Sequence, residues 1–596
     1  MSKAFFDIET DGLNATRVHC ICAMLDNNEP TVYNFIGGNI YGNFRDWLAS
    51  EDVDTLVGHN IINFDVPILR RLSGFRWDFN LRDTLVLSRL HNPSLDGGHS
   101  LRSWGERLCD LKGDYQGGWE EYNQEMLEYC QQDVRVTKTL YNHLEMWRNQ
   151  HDNDEAVDLE HDTANIIRKQ TDNGMVLNEE RAYELLAEMK EKVLDIEDEV
   201  HERFKPLPVW TPLNYPEDKT HTKDGRMTKR YQAQLDRGAD WNEKYEWGCY
   251  EYPEFNLGSR QQIAKYLQHF GWKPKAFTDK GSVIVDEKVL KSVNIPEAQL
   301  IVNYLTLTKR IAMVKSWVEA INDDTGRVHG KVNSCGAVTG RMTHSKPNCA
   351  QVPATRHDKK TGKVLWGFKG GYGADCRDLW TVPDGYSLVG VDASGLELRM
   401  LAHYMNDDKY TNEILNGDIH TANQKSAGLQ TRDQAKTFVY AFLYGAGSQK
   451  LGQVAGGGVR RGNILKKNFL DNTPALKKLR DKVTKSSKKG WVTGLDGRKL
   501  HIRSEHSALN TLLQSAGAVI MKKALVLLDE YAKQYKIDYK FVLNVHDEFQ
   551  CEVRKDQADF FGGLAVGSIV QAGKSFKLNC PLDGEYKVGE TWQQTH

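Results

Sequence analysis

The sequence contains no low-complexity tract and no internal repeat, which excludes solenoid and collagen-like architectures. No apolar run reads as long enough to span a bilayer, so no membrane is expected among its partners. The N-terminus runs directly into a strand-like stretch with acidic residues, so no signal peptide is expected. The ten cysteines include no CxxC pair and no Cys/His zinc spacing. Cys20 and Cys22 lie in an apolar strand-like run and read as core, and the set as a whole points to reduced thiols in a cytoplasmic compartment. An excess of one charge is missing too, because the formal net charge is only −3. Any nucleic-acid binding therefore has to come from local basic patches. What the chain does have is length: 596 residues, 40% hydrophobic and 27% charged. That suits roughly four globular domains.

Two stretches carry the densest chemistry. In 387-SLVGVDASGLELRMLAHYM-405 an apolar run, Leu388 to Val391, reads as a buried strand ending in Asp392. Leu396, Leu398, Leu401 and Ala402 then follow at helical spacing. In 541-FVLNVHDEFQCEV-553, Phe541, Leu543 and Val545 alternate, as do Phe549, Cys551 and Val553. This predicts two strands meeting at His546-Asp547-Glu548. Asp392 alone reads as a strand-end turn residue, and the HDE triplet alone as a polar hairpin turn. Taken together they predict two carboxylates on neighbouring strands holding two Mg²⁺ ions. Such ions, about 3.5–4 Å apart, activate an attacking oxygen and stabilise a leaving one.

The sequences D-A-S-G-L-E-L-R and V-H-D-E resemble the first and third palm motifs of family A (Pol I-type) DNA polymerases, most closely in the branch of phage T7 and its relatives. The resemblance covers nearly the whole chain. It implies an α/β multidomain fold: a ribonuclease-H-like 3′–5′ exonuclease domain followed by a right-hand polymerase of palm, fingers and thumb. The expected division is 1–150 exonuclease, 151–329 linker and helical thumb with an insert at 206–256, 330–410 and 491–596 palm, and 411–490 fingers. Asp392 and Asp547, with the carbonyl of Ala393, are the expected metal ligands of synthesis.

In the first region, Asp7 and Glu9 are two apart on a predicted strand and point to one face, which is costly without a cation. Asp65 ends 58-GHNIINFD-65, and Tyr129 and Asp133 are one turn apart on a predicted helix over 119–144. The ordered set D-x-E, N-x-x-x-F-D, Y-x-x-x-D resembles a DEDD-type proofreading exonuclease. That implies two metals on Asp7, Glu9, Asp65 and Asp133, with Tyr129 orienting the attacking water. The cofactor expectation is thus Mg²⁺, two ions in each site, with Mn²⁺ as a substitute.

The polar stretch 151–158 reads as a linker. Helical patterns over about Leu159 to Phe204, Ser259 to Phe270 and Glu297 to Ile321 resemble a thumb; a generic helical spacer is the alternative. The turn-rich 330-GKVNSCGAVTGRMTHSKPNCAQVP-353 resembles the family segment that contacts primer–template, which implicates Arg341, Asn348 and Gln351; Arg377 matches a further arginine. Such contacts position DNA without reading its sequence.

In 431-TRDQAKTFVYAFLYGAG-447, Arg432, Lys436, Tyr440 and Tyr444 recur every four residues and line one helix face, which Gly445 and Gly447 end. Two cations one turn apart suit a triphosphate, and an aromatic one turn further suits stacking on a base. The order matches the family's nucleotide-binding helix. The resemblance adds His420 on the phosphates, Glu397 against the sugar 2′-position, and Asn510, Gln514 and His546 near the primer terminus. The basic run from Arg460 to Lys489 reads as a solvated face or as lying near template.

The expected activity is template-directed DNA synthesis from dNTPs on primed DNA, with proofreading, in phage-type replication in the host cytoplasm. Primer–template DNA and dNTPs are the expected partners, and a replicative helicase is a further candidate. Two competing readings are a single-subunit RNA polymerase, against which Glu397 argues, and a nuclease or DNA-binding module, against which the intact cation helix and both palm aspartates argue. In T7-type relatives a loop placed like the 206–256 insert recruits thioredoxin as a clamp. Here the insert holds seven Lys/Arg against nine Asp/Glu. A net of −2 repels phosphate, so the electrostatic part of that mechanism is not supported. The insert is expected to extend the thumb without requiring thioredoxin.

Overall fold

The computed structural model describes residues 2–26, 30–151, 153–217, 219–278 and 280–596, with nothing said of the side chains at 151 and 288. Asp152 of the expected linker and Asp218 of the insert's acids lie outside the described residues. The chain forms two compact units. One comprises Met1–Val176, Ala320–Val352 and Trp380–His596, the other Leu177–Glu319 and Pro353–Leu379.

Two of the first unit's sheets carry the candidate sites. The N-terminal one is mixed and five-stranded, in the order Tyr33–Ile36, Val18–Leu25, Ser2–Thr10, Val53–Gly58, Asn80–Asp83. The first three strands are antiparallel and the last two join in parallel, as in a ribonuclease-H-like domain. Alternation along Ser2–Thr10 sorts its side chains to two cores. Phe6 and Ile8 pack on one face, while Phe5 packs on the other with Cys20, Cys22 and the helix Gln124–His151. Asp7 and Glu9 share the parity of Phe5, so they face that helix.

The second sheet is antiparallel, in the order Tyr539–Val545, Glu548–Arg554, Tyr386–Ala393, Gly584–Gly589. His546 and Asp547 form the two-residue turn of its hairpin, with His546 at φ 58°. Phe549, Cys551 and Val553 join the main core. The alternate positions Glu548, Gln550 and Glu552 are polar yet buried. Trp592 Nε1 donates to Glu548 Oε1 at 2.6 Å, Thr595 Oγ1 donates to Gln550 Oε1 at 2.8 Å, and Arg327 and Lys540 pair with Glu552. Each buried acceptor thus keeps a partner.

The core helix of this unit is Ala508–Gln534. It corrects the expectation that no apolar run could span a bilayer: Glu505–Gln534 is long and apolar enough, but 78% of its apolar window is buried inside the protein. A helix surrounded by partners needs apolar residues on every face.

The expected linker at 151–158 also needs correction, because the helix Asp154–Asn173 starts within it. Asp154 and Glu155 occupy the first turn, where the helix dipole favours carboxylates. The helical pattern from Leu159 onward does not run on unbroken. It stops at Gly174, whose φ of 59° admits few other residues and whose absent Cβ would meet His329 Nδ1 at 2.8 Å.

In the second unit, helices Glu179–Arg203 and Pro296–Val318 pack together. The 206–256 insert builds its own small fold. Strands Val209–Pro212 and Asp240–Trp241 flank Trp247–Glu251, and the helix Lys229–Asp236 closes a core of Ala239, Trp247 and Cys249 with Tyr215 and Tyr231. The segment Pro353–Leu379, read from the sequence within 330–410, belongs to this unit.

Candidate active sites

At the second sheet, Tyr386–Ala393 delivers Asp392 to its C-terminal end, directly opposite Glu548 on the neighbouring strand. Asp547 precedes Glu548, and its carbonyl accepts from Ala393 N–H at 3.2 Å. Desolvation, then the charges of Asp547 and Glu548, push the Asp392 carboxyl up to about 7. Carboxylates that repel one another at a sheet edge form a donor set for a hard divalent cation. Glu548 was not assigned a role from the sequence. It is buried among this group and pairs with His596 Nδ1 at 2.8 Å.

Behind Asp392, the helix Leu396–Met405 carries Glu397 on its first turn. Tyr444 Oη donates to both Glu397 oxygens, at 2.9 and 2.8 Å, and Arg341 Nη2 to Oε1 at 3.2 Å. Three predicted residues from distant stretches are thus joined by direct bonds. Arg341 and His546 line one small pocket with Asn544 and Glu548. Burial and the Arg341 charge hold His546 below the ordinary imidazole range.

The helix Arg432–Leu443 begins at Thr431, whose hydroxyl accepts from Gln434 N–H. Ala435, Phe438, Val439 and Phe442 are buried, which leaves Arg432 and Lys436 in solvent and Tyr440 half-buried, its ring 6.4 Å from that of Tyr444. Gly445 follows at φ 74°, where a Cβ would meet His506 O at 2.6 Å. Asp418 was not predicted. It caps the helix Ile419–Ala427, which carries His420, and accepts from Arg432 Nε at 2.8 Å. Desolvation and then the charges of Arg432 and Lys436 lower the His420 imidazole. Cation, cation and imidazole therefore share one neighbourhood.

Asn510 and Gln514 lie one turn apart and half-buried on Ala508–Gln534, and Asn348 and Gln351 are exposed at the ends of a short turn, Cys349–Gln351. Arg377 differs: it is 4% exposed in the second unit, with Nε donating to Pro353 O at 3.0 Å. The basic run lies on the helices Val459–Asp471 and Pro474–Ser487.

The acid cluster of the N-terminal sheet is tighter. Asp7 and Glu9 face Asp133 on Gln124–His151, and Asp65 opens the helix Asp65–Ser73 beside them. Desolvation raises all four carboxyls, with repulsion from neighbouring acids added at Asp7, Glu9 and Asp65: Asp7 goes well above its usual range, Glu9 to about 9 and Asp65 to about 7, while Asp133, opposed by Lys112, goes to about 6. Asp133 Oδ1 is buried with no hydrogen-bond partner. Such a set fits divalent cations, which would relieve the repulsion and fill the free lone pairs. Lys112 stood in no sequence motif. Its ammonium pairs with Asp133 Oδ2 and lies 4.7 Å from the Tyr129 ring centroid.

The family model for DNA polymerase family A matches residues 226–594. The chain belongs to that family, whose members use divalent metal ions, and it is an enzyme of template-directed DNA synthesis. Among its relatives, the DNA-directed DNA polymerases of Enterobacteria phage T3 and Escherichia phage T7 are each 34% identical to it, over 99% of this chain and 99% of theirs. DNA polymerase I of Aquifex aeolicus is 29% identical over 53% of this chain and 54% of its own length. In fold the chain is similar to the polymerase domain of Pol1 from M. smegmatis, solved with DNA primer-template and dNTP. The TM-score is 0.76 at 16% identity, covering 99% of this chain and 96% of that one.

Proposed function

We propose that the palm site extends the primer of a primer–template with dNTPs and that the acid cluster of the N-terminal sheet excises misincorporated ends 3′ to 5′. The observation that carries the double reading is the pair of carboxylate sets, each crowded enough to raise its own protonation and each on its own sheet.

In synthesis, the primer 3′-oxygen forms a bond to the α-phosphorus of the dNTP as the bond to pyrophosphate breaks. Asp392, Asp547 and the Ala393 carbonyl would hold two Mg²⁺, with Mn²⁺ as a substitute, and bound ions supply charge neutralisation at the transferring phosphoryl group. The chain's own part is positioning. Arg432, Lys436 and His420 bind the triphosphate, and Arg432 exchanges Asp418 for it. The Tyr440 ring stacks on the incoming base. Glu397, fixed by Tyr444 and Arg341, stands at the sugar 2′-position, where an extra hydroxyl is crowded. Arg341, Asn348, Gln351, Asn510, Gln514 and His546 hold primer and template by backbone and minor-groove contacts. The burial of Arg377 favours a role in stiffening its own unit.

In excision, Asp7, Glu9, Asp65 and Asp133 would hold two further ions. Tyr129, beside Asp133 on one helix face, orients the attacking water. Lys112 holds Asp133 in its ionised form. The full-length similarity to phage polymerases supports action in a host cytoplasm. The insert, which packs a small core of its own, is read as affecting residence on DNA through that fold rather than through charge and without requiring thioredoxin, and a replicative helicase remains a candidate partner.

The test is Asp7→Ala combined with Glu9→Ala, assayed on a primer with a mismatched 3′ end and on a matched one. The expected result is loss of excision with matched extension unchanged. Excision at the wild-type rate would remove the acid cluster from the mechanism.

A further inference from the structure

The strand Val18–Leu25 carries Cys20 and Cys22 on one face, because they are two residues apart. In its antiparallel pairing with Ser2–Thr10, Asp7 lies opposite Cys22 and Glu9 opposite Cys20. Directly opposed residues of such a pair point to the same face of the sheet. The thiols therefore continue the acid cluster sideways, one strand further out. Cys130 reaches the same place from the helix Gln124–His151, three residues before Asp133 and on the same side of that helix. All three cysteines are fully buried.

Their sulfurs lie within 4.8 Å of one another. Metal–sulfur bonds of about 2.3 Å put the ligands of a tetrahedral zinc site roughly 3.8 Å apart, so the observed spacing admits one ion between all three. A cysteine used only as packing behaves as a small apolar group. Here the neighbours are polar. Cys22 Sγ lies 3.4 Å from Asn34 Oδ1, and Cys130 Sγ lies 3.5 Å from Asp7 O and 3.8 Å from Asp7 Oδ2. Cys130 Sγ also lies within 4.8 Å of one carboxylate oxygen each of Asp7 and Glu9. Two donor sets thus meet at Cys130, soft sulfurs on one side and hard oxygens on the other. Mg²⁺ selects the oxygens and Zn²⁺ the sulfurs.

We propose that Cys20, Cys22 and Cys130 form a binding site for one thiophilic divalent cation of the zinc class, with Asp7 as the fourth donor, and that filling it draws Asp7 away from the ions of excision. Each thiol gives its proton to solvent as its sulfur binds. The site stands on the sulfurs; its effect on excision rests on the proofreading reading. A thiophilic ion then stops degradation through a ligand that both sites share, while the carboxylates of the other sheet are untouched.

The test loads the full chain, kept reduced with a phosphine, with one equivalent of Zn²⁺ and records X-ray absorption at the zinc edge. The expected shell is three sulfurs at about 2.3 Å with one oxygen. A shell of nitrogen and oxygen alone would overturn the site, and this result on the wild-type chain decides it even where a variant fails to fold. Cys22→Val keeps an apolar side chain on the strand and removes one sulfur. It should weaken Cd²⁺ binding, followed by sulfur-to-cadmium charge-transfer absorption, by more than about tenfold, the least expected from losing a direct ligand. Unchanged affinity would overturn the site, as would an equal loss in Cys249→Ala, a buried thiol of the other unit. The draw on Asp7 is read on a primer with a mismatched 3′ end in Mg²⁺. Added Zn²⁺ should stop excision by the wild-type chain and spare it in Cys22→Val. Equal inhibition of both, or of neither, would overturn the draw on Asp7. Three sulfurs on zinc with no excision even in Mg²⁺ alone would sink the proofreading reading and keep the site.

Discussion

Replacing Glu160 by Gln tests the packing that carries the palm. Glu160 Oε1 accepts from Arg498 Nη1 at 2.7 Å and from Lys522 Nζ at 2.5 Å, and Arg498 also forks onto Asp496. All four side chains are at most 2% exposed. Two carboxylates and two cations cancel, so the group is neutral as a whole. Glu160→Gln keeps the volume and leaves Arg498 and Lys522 sharing one carboxylate in a dry interior. Breaking one partner out of a buried pair costs about 3–5 kcal/mol. That is a large part of the roughly 5–15 kcal/mol that holds a domain together. Urea unfolding followed by tryptophan fluorescence measures it, reading the first transition because a chain of two compact units need not unfold in one step. Glu160→Gln with Lys522→Met restores neutrality, so the double variant should recover about 2 kcal/mol over the single one, an interaction that a double-mutant cycle isolates. A loss below about 1 kcal/mol for Glu160→Gln, or strict additivity in the cycle, would refute the reasoning.

Other outcomes follow from the site geometry. On the proposed nucleotide-binding role of Tyr440, ready incorporation of dideoxynucleotides is expected; Tyr440→Phe should restore discrimination, and identical selectivity ratios for the two proteins would contradict that role. Glu397→Ala frees Tyr444 and Arg341 together and should weaken the exclusion of rNTPs or slow dNTP use, read in steady-state kinetics with both substrates. Replacing Leu213 to Tyr250 by a Gly-Ser linker should shorten products made in one binding event under a heparin trap. Equal product lengths would remove the insert from processivity, and a large gain on adding thioredoxin would show that its net charge misled.

Much of both sites is legible in the sequence because their residues lie on regular elements. Period two places Asp7 with Glu9, and a four-residue period places Arg432, Lys436 and Tyr440. Strand alternation finds the hairpin that carries Asp547. What escapes are the partners fixed only by tertiary packing. Lys112 stands in no motif and reaches Asp133 across a loop. Asp418 reads as an ordinary helix cap until Arg432 folds onto it. The alternation of Phe549, Cys551 and Val553 leaves Glu548, Gln550 and Glu552 without a reading, and Trp592, Thr595 and Arg327 bury them from other parts of the chain. The stretch 151–158 misleads for a local reason, since acids at a helix N-terminus look like the acids of a linker.

The central claim is that Asp392 and Asp547 are the carboxylates of synthesis and that the N-terminal acids are not. Primer extension in Mg²⁺ by Asp392→Ala and by Asp547→Ala, with 3′–5′ degradation of the same primer followed when dNTPs are withheld, tests it most directly. The account predicts that both variants lose extension and keep degradation at the wild-type rate; a variant that still extends the primer near the wild-type rate would contradict it.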